Sequence, residues 1–194
     1  DHSVPHATVV GLQRARRVLL HGVSGSGRST AAVAIGARLG VPVHLADDEF
    51  GWLPGWVQRP PDDMRALAAA AAAEPAWVFD TAYGIFRDVV EPHADLIIGL
   101  DYPRWLSLGR LLRRTWLRSL NGELVCNGDV ETLRQMFSTD SIIVWHFRTF
   151  ARKRSTMRAW AARADGPPVV LLRRPHELDR LLGDLNGAAA TDES

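Results

Sequence analysis

The densest chemistry in the sequence is the run His21-Gly22-Val23-Ser24-Gly25-Ser26-Gly27-Arg28-Ser29-Thr30. Gly22, Gly25 and Gly27 permit a turn whose backbone N–H groups converge on one point, and a helix opening just after them would add favourable partial positive charge. Such a turn cradles phosphate oxygens, with Ser24 and Ser26 on the loop, Thr30 behind it and the Ser29 hydroxyl placed to ligate Mg²⁺. Position 28 breaks the pattern, because arginine stands where a lysine normally reaches the β and γ phosphates of a nucleotide. Lysine is a slim point charge, whereas a guanidinium is wide, planar and permanently charged, so the exchange is not conservative. Nucleotide binding can survive it, while phosphoryl transfer needs a site reshaped around Arg28. The bland alternative, a glycine-rich turn with no ligand, leaves the Ser29-Thr30 pair without a purpose.

A cradle of this kind needs a strand before it and a helix after it. Five short apolar runs, 18–21, 41–45, 77–79, 96–100 and 169–172, are continuous rather than alternating, as strands buried on both faces are. Helical patterns lie between and after them at 29–39, closed by Gly40, then at 61–74, 104–120, 141–162 and 176–185. The second has a proline start, Asp62 and Asp63 in its first turn and an alanine run of high helix propensity. This alternation predicts an α/β domain, an open doubly wound sheet with helices on both faces. The length of 194 residues fits one domain over 1–187, with a disordered tail at 188–194 and a polar flap at 121–139 inside a lid region of about 120–158.

Composition narrows the class. With 46% apolar and 23% charged residues the chain is an ordinary globular one, and its apolar run 66–73 is too short to cross a bilayer. Cys126 is the only cysteine, which excludes an internal disulfide and a cysteine-clustered zinc site. A net charge of +1 gives no general drive toward nucleic acid or membranes, and the arginines gathered in 110–118 and 148–158 call for a local role. Residues 1–12 carry no apolar secretory core, so the cytoplasm is the expected compartment. The seven histidines show no metal-ligand spacing, leaving Mg²⁺ brought by a nucleotide as the expected metal.

Five motifs in order carry a resemblance: the loop 22–30, Asp48-Glu-Phe-Gly-Trp-Leu-Pro-Gly-Trp56, Phe79-Asp-Thr-Ala-Tyr-Gly84, Leu100-Asp-Tyr-Pro-Arg-Trp105, and Leu171-Leu-Arg-Arg-Pro-His-Glu-Leu-Asp-Arg-Leu-Leu182. Over about residues 18–183 the chain resembles the adenylate-kinase-like bacterial ATPases labelled DNA topology modulation proteins, and more distantly adenylate and shikimate kinases. The resemblance implies a P-loop NTPase fold, with a five-stranded parallel sheet under a hinged helical lid, and ATP or GTP with Mg²⁺ as cofactors. Asp48, past the second strand, corresponds to an acid near Mg²⁺ and the acceptor, and Asp80, ending the third strand, to the acid that holds a water on Mg²⁺. Both lie at strand carboxyl ends, where open α/β sheets bind ligands. Arg110 and Arg114 match two arginines that stack on adenine and touch the transferring phosphate, and Arg174 falls in a turn that cradles adenine. Arg148 and Arg152, four apart on one helix face, are lid-side candidates for neutralising charge in the transition state, with Arg158 a further candidate and a solvated helix face the equal alternative for each.

The departures bear on the acceptor. The resemblance implies that nucleoside monophosphate kinases grip the acceptor phosphate with arginines at the places held here by Gly51 and Gly84, for which Arg59 or Arg87 could substitute. Phe50, Trp52, Trp56 and Tyr83 instead suit stacking on a sugar, a ring or an apolar metabolite. The expected activity is therefore transfer of a γ-phosphate to a hydroxyl of a non-nucleotide metabolite or natural product, antibiotics included. Two alternatives remain: a nucleotide-binding switch whose turnover Arg28 has weakened, and a nucleic-acid-associated ATPase, the less expected because no recognition module is visible. The expected partner is a small-molecule acceptor, with no membrane or nucleic acid, for a monomer or homodimer.

Overall fold

The computed structural model describes residues 11–23, 25–53, 57–121 and 139–189. Five strands form a parallel sheet in the order β2-β5-β1-β6-β7: β1 (Arg17–Gly22), β2 (Val43–His44), β5 (Trp77–Phe79), β6 (Leu96–Leu100) and β7 (Val169–Leu172). The central β1 pairs Val18 with Val78 on one side and His21 with Gly99 on the other. Every residue from Val18 to Gly22 is buried, as a strand paired on both sides and covered on both faces requires. Strand β2 is shorter than the apolar run 41–45, since Pro42 has no N–H for the ladder, although its carbonyl still accepts from the Val78 N–H at 2.8 Å.

Helices cover both faces, as the α/β expectation required: α1 (Arg28–Leu39), α2 (Pro61–Ala72), the short α3 (Arg87–Val90), α4 (Arg104–Asn121), α5 (Thr139–Ala162) and α6 (Pro175–Ala189). Side chains alternate across β1. Val18 and Leu20 join Ala31 and Ile35 of α1 and Leu181 and Leu185 of α6, while Leu19 joins Met64 and Ala68 of α2 and Trp160 of α5. Each such buried leucine contributes about 1.5–3 kcal/mol of hydrophobic stabilisation, so the two half-cores are what hold the sheet's carboxyl edge in place. A Cβ on Gly36 would collide with Val43, so α1 lies directly against the edge strand β2. Helices α4 and α5 are joined where the Arg104 guanidinium lies 4.7 Å from the centre of the Phe150 ring.

Two features differ from the sequence expectation. Residues Asp47–Gly51 form a π-helical turn, followed by a small antiparallel pair, β3 (Trp52–Leu53) and β4 (Val57–Gln58). The last helix runs to Ala189 rather than ending near 185, so positions 188 and 189 are helical and not tail. The first part of the expected lid, 122–138, lies outside the described residues, and 139–158 belong to α5. Among the described residues no helix is long and apolar enough to cross a membrane.

Candidate functional site

The phosphate-cradle sequence sits at the carboxyl end of the central strand. Gly22 closes β1, the Ser26 N–H returns to the Val23 carbonyl at 3.1 Å, and the Ala31 N–H to Gly27 at 2.9 Å opens α1. Gly25 and Gly27 have φ of 81° and 88°, the left-handed region that side chains with a Cβ adopt at a cost. The buried Ser26 hydroxyl stands 2.7 Å from where a Cβ on Gly22 would lie, so position 22 has no room for a side chain. Ser29 and Thr30, in the first turn of α1, remain exposed.

Asp80, buried one residue past β5, organises the edge. Its Oδ2 accepts from the Ser29 hydroxyl at 2.8 Å and its Oδ1 from the Ala46 N–H at 2.9 Å. One carboxylate thereby joins the loop helix, the sheet and the start of the π-helical turn. In that turn Glu49 faces back onto β2, bonding the Leu45 N–H at 3.1 Å and His44 Nδ1 at 2.7 Å. Asp47 and Asp48 keep solvent contact. Lost hydration raises the Asp47 carboxyl above its ordinary pKa, with Arg28 pulling it down, Asp80 and Asp48 pushing it up and Lys153 again pulling it down. Asp47 is thus the acid coupled to the cations of the site, and the expected Asp48 stands beside it.

The cations converge from four elements. The Arg28 side chain folds back over the end of β1, its Cδ 3.4 Å from the place of a Gly22 Cβ. Burial lowers the Arg28 guanidinium below its ordinary pKa, and Asp80 and Asp47 oppose the shift. From α5, Lys153 shares its helix face with the buried Phe150, Met157 and Trp160. Burial first, then Arg28, brings its amine down to about 8; Asp47 opposes, while Arg152 and Arg87 add to the fall. His21 is buried with its ring edge-on to Trp160 at 4.8 Å, and is held down to about 3 by burial and then by Arg28, Arg87 and Lys153. Arg87 lies 5.4 Å from the Trp160 ring. Arg110 braces the loop, donating to the Ser26 carbonyl at 3.2 Å with its guanidinium 5.7 Å from the Tyr102 ring. Among the described residues no group of three or more His, Cys, Asp or Glu could hold a metal by itself.

Other expected residues lie elsewhere. Arg148 and Arg152 are exposed, and α5 turns Lys153 and Arg154 inward instead. Arg154 and Arg158 pair with the buried Asp101, just past β6, at 2.6 and 3.2 Å. Phe50 is a core residue and not an acceptor surface: it is 4% exposed and stacks on Phe79 at 5.6 Å, with Phe86 edge-on at 5.8 Å. The Arg173 and Arg174 N–H groups are taken by Glu177, at 2.6 and 3.3 Å, which caps α6, so they do not face a base. Arg59 braces the π-helical turn through the Phe50 and Glu49 carbonyls, at 3.1 and 3.4 Å, leaving Arg87 as the arginine within the cluster. Trp52 is exposed on β3, and the hydroxyl of the half-buried Tyr83 stands 3.3 Å from the place of a Cβ on Gly51. Ser24, Trp56 and the Arg114 side chain lie outside the described residues.

Four residues of the site are given no role by the sequence: Asp47, Asp101, His21 and Lys153. For Lys153 a signal existed, because of 23 basic residues it is the single lysine. Asp47 had none, since a π-helical turn shifts by one residue which acid faces a given side.

No protein family model matches this sequence, and no curated protein matches it. Solved structures do. A shikimate kinase from Bacteroides thetaiotaomicron is 14% identical with a TM-score of 0.51, over 91% of this chain and 99% of that one. A shikimate kinase from Acinetobacter baumannii, in complex with shikimate, is 15% identical with a TM-score of 0.51, over 94% and 98%. A sugar kinase from a Janibacter species is 19% identical with a TM-score of 0.49, over 90% and 96%. With the sheet order and the loop at the end of β1, the fold is that of the P-loop kinases. The finer resemblance to DNA topology modulation proteins has no family match behind it.

Proposed function

We propose that this chain is an ATP- or GTP-dependent kinase that phosphorylates a hydroxyl of a small, non-nucleotide molecule. The observation that carries the reading is the Ser29 to Asp80 hydrogen bond of 2.8 Å, which sets an exposed hydroxyl and a buried carboxylate side by side at the mouth of the phosphate loop. Two hard oxygen donors at that spacing suit Mg²⁺, which keeps most of its waters and takes only one or two protein ligands. Ser29 and Asp80 would hold the ion, Asp80 through water, and the ion supplies neutralisation of phosphate charge when bound. The likeness to shikimate kinases is one of fold, and it supports a small molecule as the class of acceptor.

The chain's own residues account for the rest of the step. The loop amides, Arg28 and Arg110 hold the polyphosphate, and Arg87 adds positive charge from the acceptor side. Asp47 receives the acceptor's proton as its oxygen bonds to the γ-phosphorus, the bond to the β–γ bridging oxygen breaks, and the nucleoside diphosphate leaves. A raised carboxyl is a better base than an ordinary one, and Asp47 is raised by lost hydration while the fields of Arg28 and Lys153 reach it. The Tyr83 hydroxyl, 3.3 Å from the place of a Cβ on Gly51, would have to shift for an arginine there, in keeping with a non-nucleotide acceptor. A nucleotide switch with little turnover is the second reading, favoured by Arg28.

The test is calorimetric titration with ATP and Mg²⁺, followed by ADP release across a panel of sugars, polyols and hydroxy acids. Binding with acceptor-stimulated release supports the kinase. Binding with no release from any acceptor leaves the switch, and no binding removes both.

A further inference from the structure

We propose that Lys153 supplies, from helix α5, the phosphate-gripping ammonium that the loop itself lacks at position 28. This rests on the reading of loop 22–30 as a nucleoside triphosphate site. The chain has 23 basic residues and uses arginine for all of them except this one. A chain so committed to arginine places its single lysine on the inward face of α5, with Phe150, Met157 and Trp160.

The register of α5 brings that lysine to the loop. Met157 Sδ lies 3.2 Å from the place of a Cβ on Gly99, and Gly99 pairs with His21, the residue before Gly22. A helix that crosses between parallel strands runs antiparallel to them, so four residues earlier in α5 is about 6 Å further toward the strands' carboxyl ends. That step carries Lys153 past the end of β1 and over the phosphate loop. Trp160 fixes the rotation of the helix by packing edge-on to His21 at 4.8 Å.

The charges agree with the geometry. Lys153 is coupled to Arg28 of α1, Asp47 of the π-helical turn, Arg87 of α3 and its own neighbour Arg152. The negative fields of Asp80 and Asp47 reach Arg28 and offset part of the charge it presents to a ligand. A flexible stem bearing a compact ammonium can follow the terminal phosphate in a way that a wide, planar guanidinium does poorly. Crowding among cations costs the free protein energy that a polyphosphate returns. Binding should therefore raise the amine from about 8 and draw a proton from solution.

The experiment is titration of the full chain with ATP, ADP and AMP in the presence of Mg²⁺, for wild type, Lys153→Met, Lys153→Arg and the double variant Arg28→Lys with Lys153→Met. We expect Lys153→Met to weaken ATP and ADP by about tenfold or more, AMP by less than about twofold, and the double variant to recover most of the loss. Titrations near pH 8 in buffers of different ionisation enthalpy should show proton uptake with ATP in wild type and little in Lys153→Arg, a readout that survives if the methionine variant folds poorly. Wild type that binds ATP while Lys153→Met binds it equally well, or a loss shared equally by AMP, overturns the inference alone. Wild type that binds no ATP overturns the nucleotide reading beneath it.

Discussion

Ser29 Oγ donates to Asp80 Oδ2 at 2.8 Å, while the other oxygen of the same carboxylate accepts from the Ala46 backbone. Asp80→Asn keeps the shape and removes the charge. Mg²⁺-dependent nucleotide affinity should fall by about tenfold and turnover by about a hundredfold or more, with a stability loss of about 1–3 kcal/mol from the disturbed buried bonds. Titration with and without Mg²⁺ and thermal melts read the two effects separately. An unchanged Mg²⁺ dependence would remove Asp80 from the metal side of the site.

Asp47 and Asp48 can be told apart by turnover. Asp47→Asn should cost about 10²–10⁴ in kcat, as loss of a general base does, and Asp48→Asn much less. The opposite ranking in an ADP-release assay would return the role to Asp48.

His21 makes acid stability a test of the packing. Its folded pKa of about 3 lies below the ordinary 6.5, so between those values the unfolded chain binds more protons than the folded one. Stability therefore rises with pH across that window and is lost as pH falls from about 6.5, at up to about 1.4 kcal/mol per pH unit. In His21→Leu, which fills the same buried place without a proton site, the slope of urea midpoint against pH should flatten. A slope equal to wild type would mean that His21 titrates elsewhere than beside Trp160.

Gly51 and Gly84 should respond differently to bulk. A side chain at 51 meets the Tyr83 hydroxyl 3.3 Å from its Cβ, whereas Gly84 has nothing within 4 Å. Gly51→Arg should cost about 1–3 kcal/mol, and Gly84→Arg within about 0.5 kcal/mol of nothing. Equal melting temperatures for the two variants would show that Tyr83 yields freely.

The strands were legible because a strand buried on both faces is a plain apolar run, as β5 and β6 are, and the half-buried edge strand β7 is a continuous apolar run as well. The pair β3 and β4 was not, since two-residue strands carry no period to read. Phe50 beside a pair of acids looks like a platform for a ligand until Phe79 and Phe86, distant in sequence, claim its ring. In α5 the spacing of Arg148 and Arg152 marks one face and that of Phe150, Lys153, Met157 and Trp160 another. Local sequence does not choose between them; the seat of Trp160 on His21 does.

The contact of Gly36 with Val43 governs more than packing. Ser29 lies seven residues earlier on α1, about 10 Å away along the helix axis, and the Asp47–Gly51 turn opens just beyond β2. The helix and the strand act as the two arms of a caliper, with donor chemistry on one tip, acceptor chemistry on the other and Gly36 as the stop between them. One added methyl group there would wedge the arms apart. In the proposed kinase, the gap between donor and acceptor is thus gauged by an atom the protein leaves out, far from the site itself.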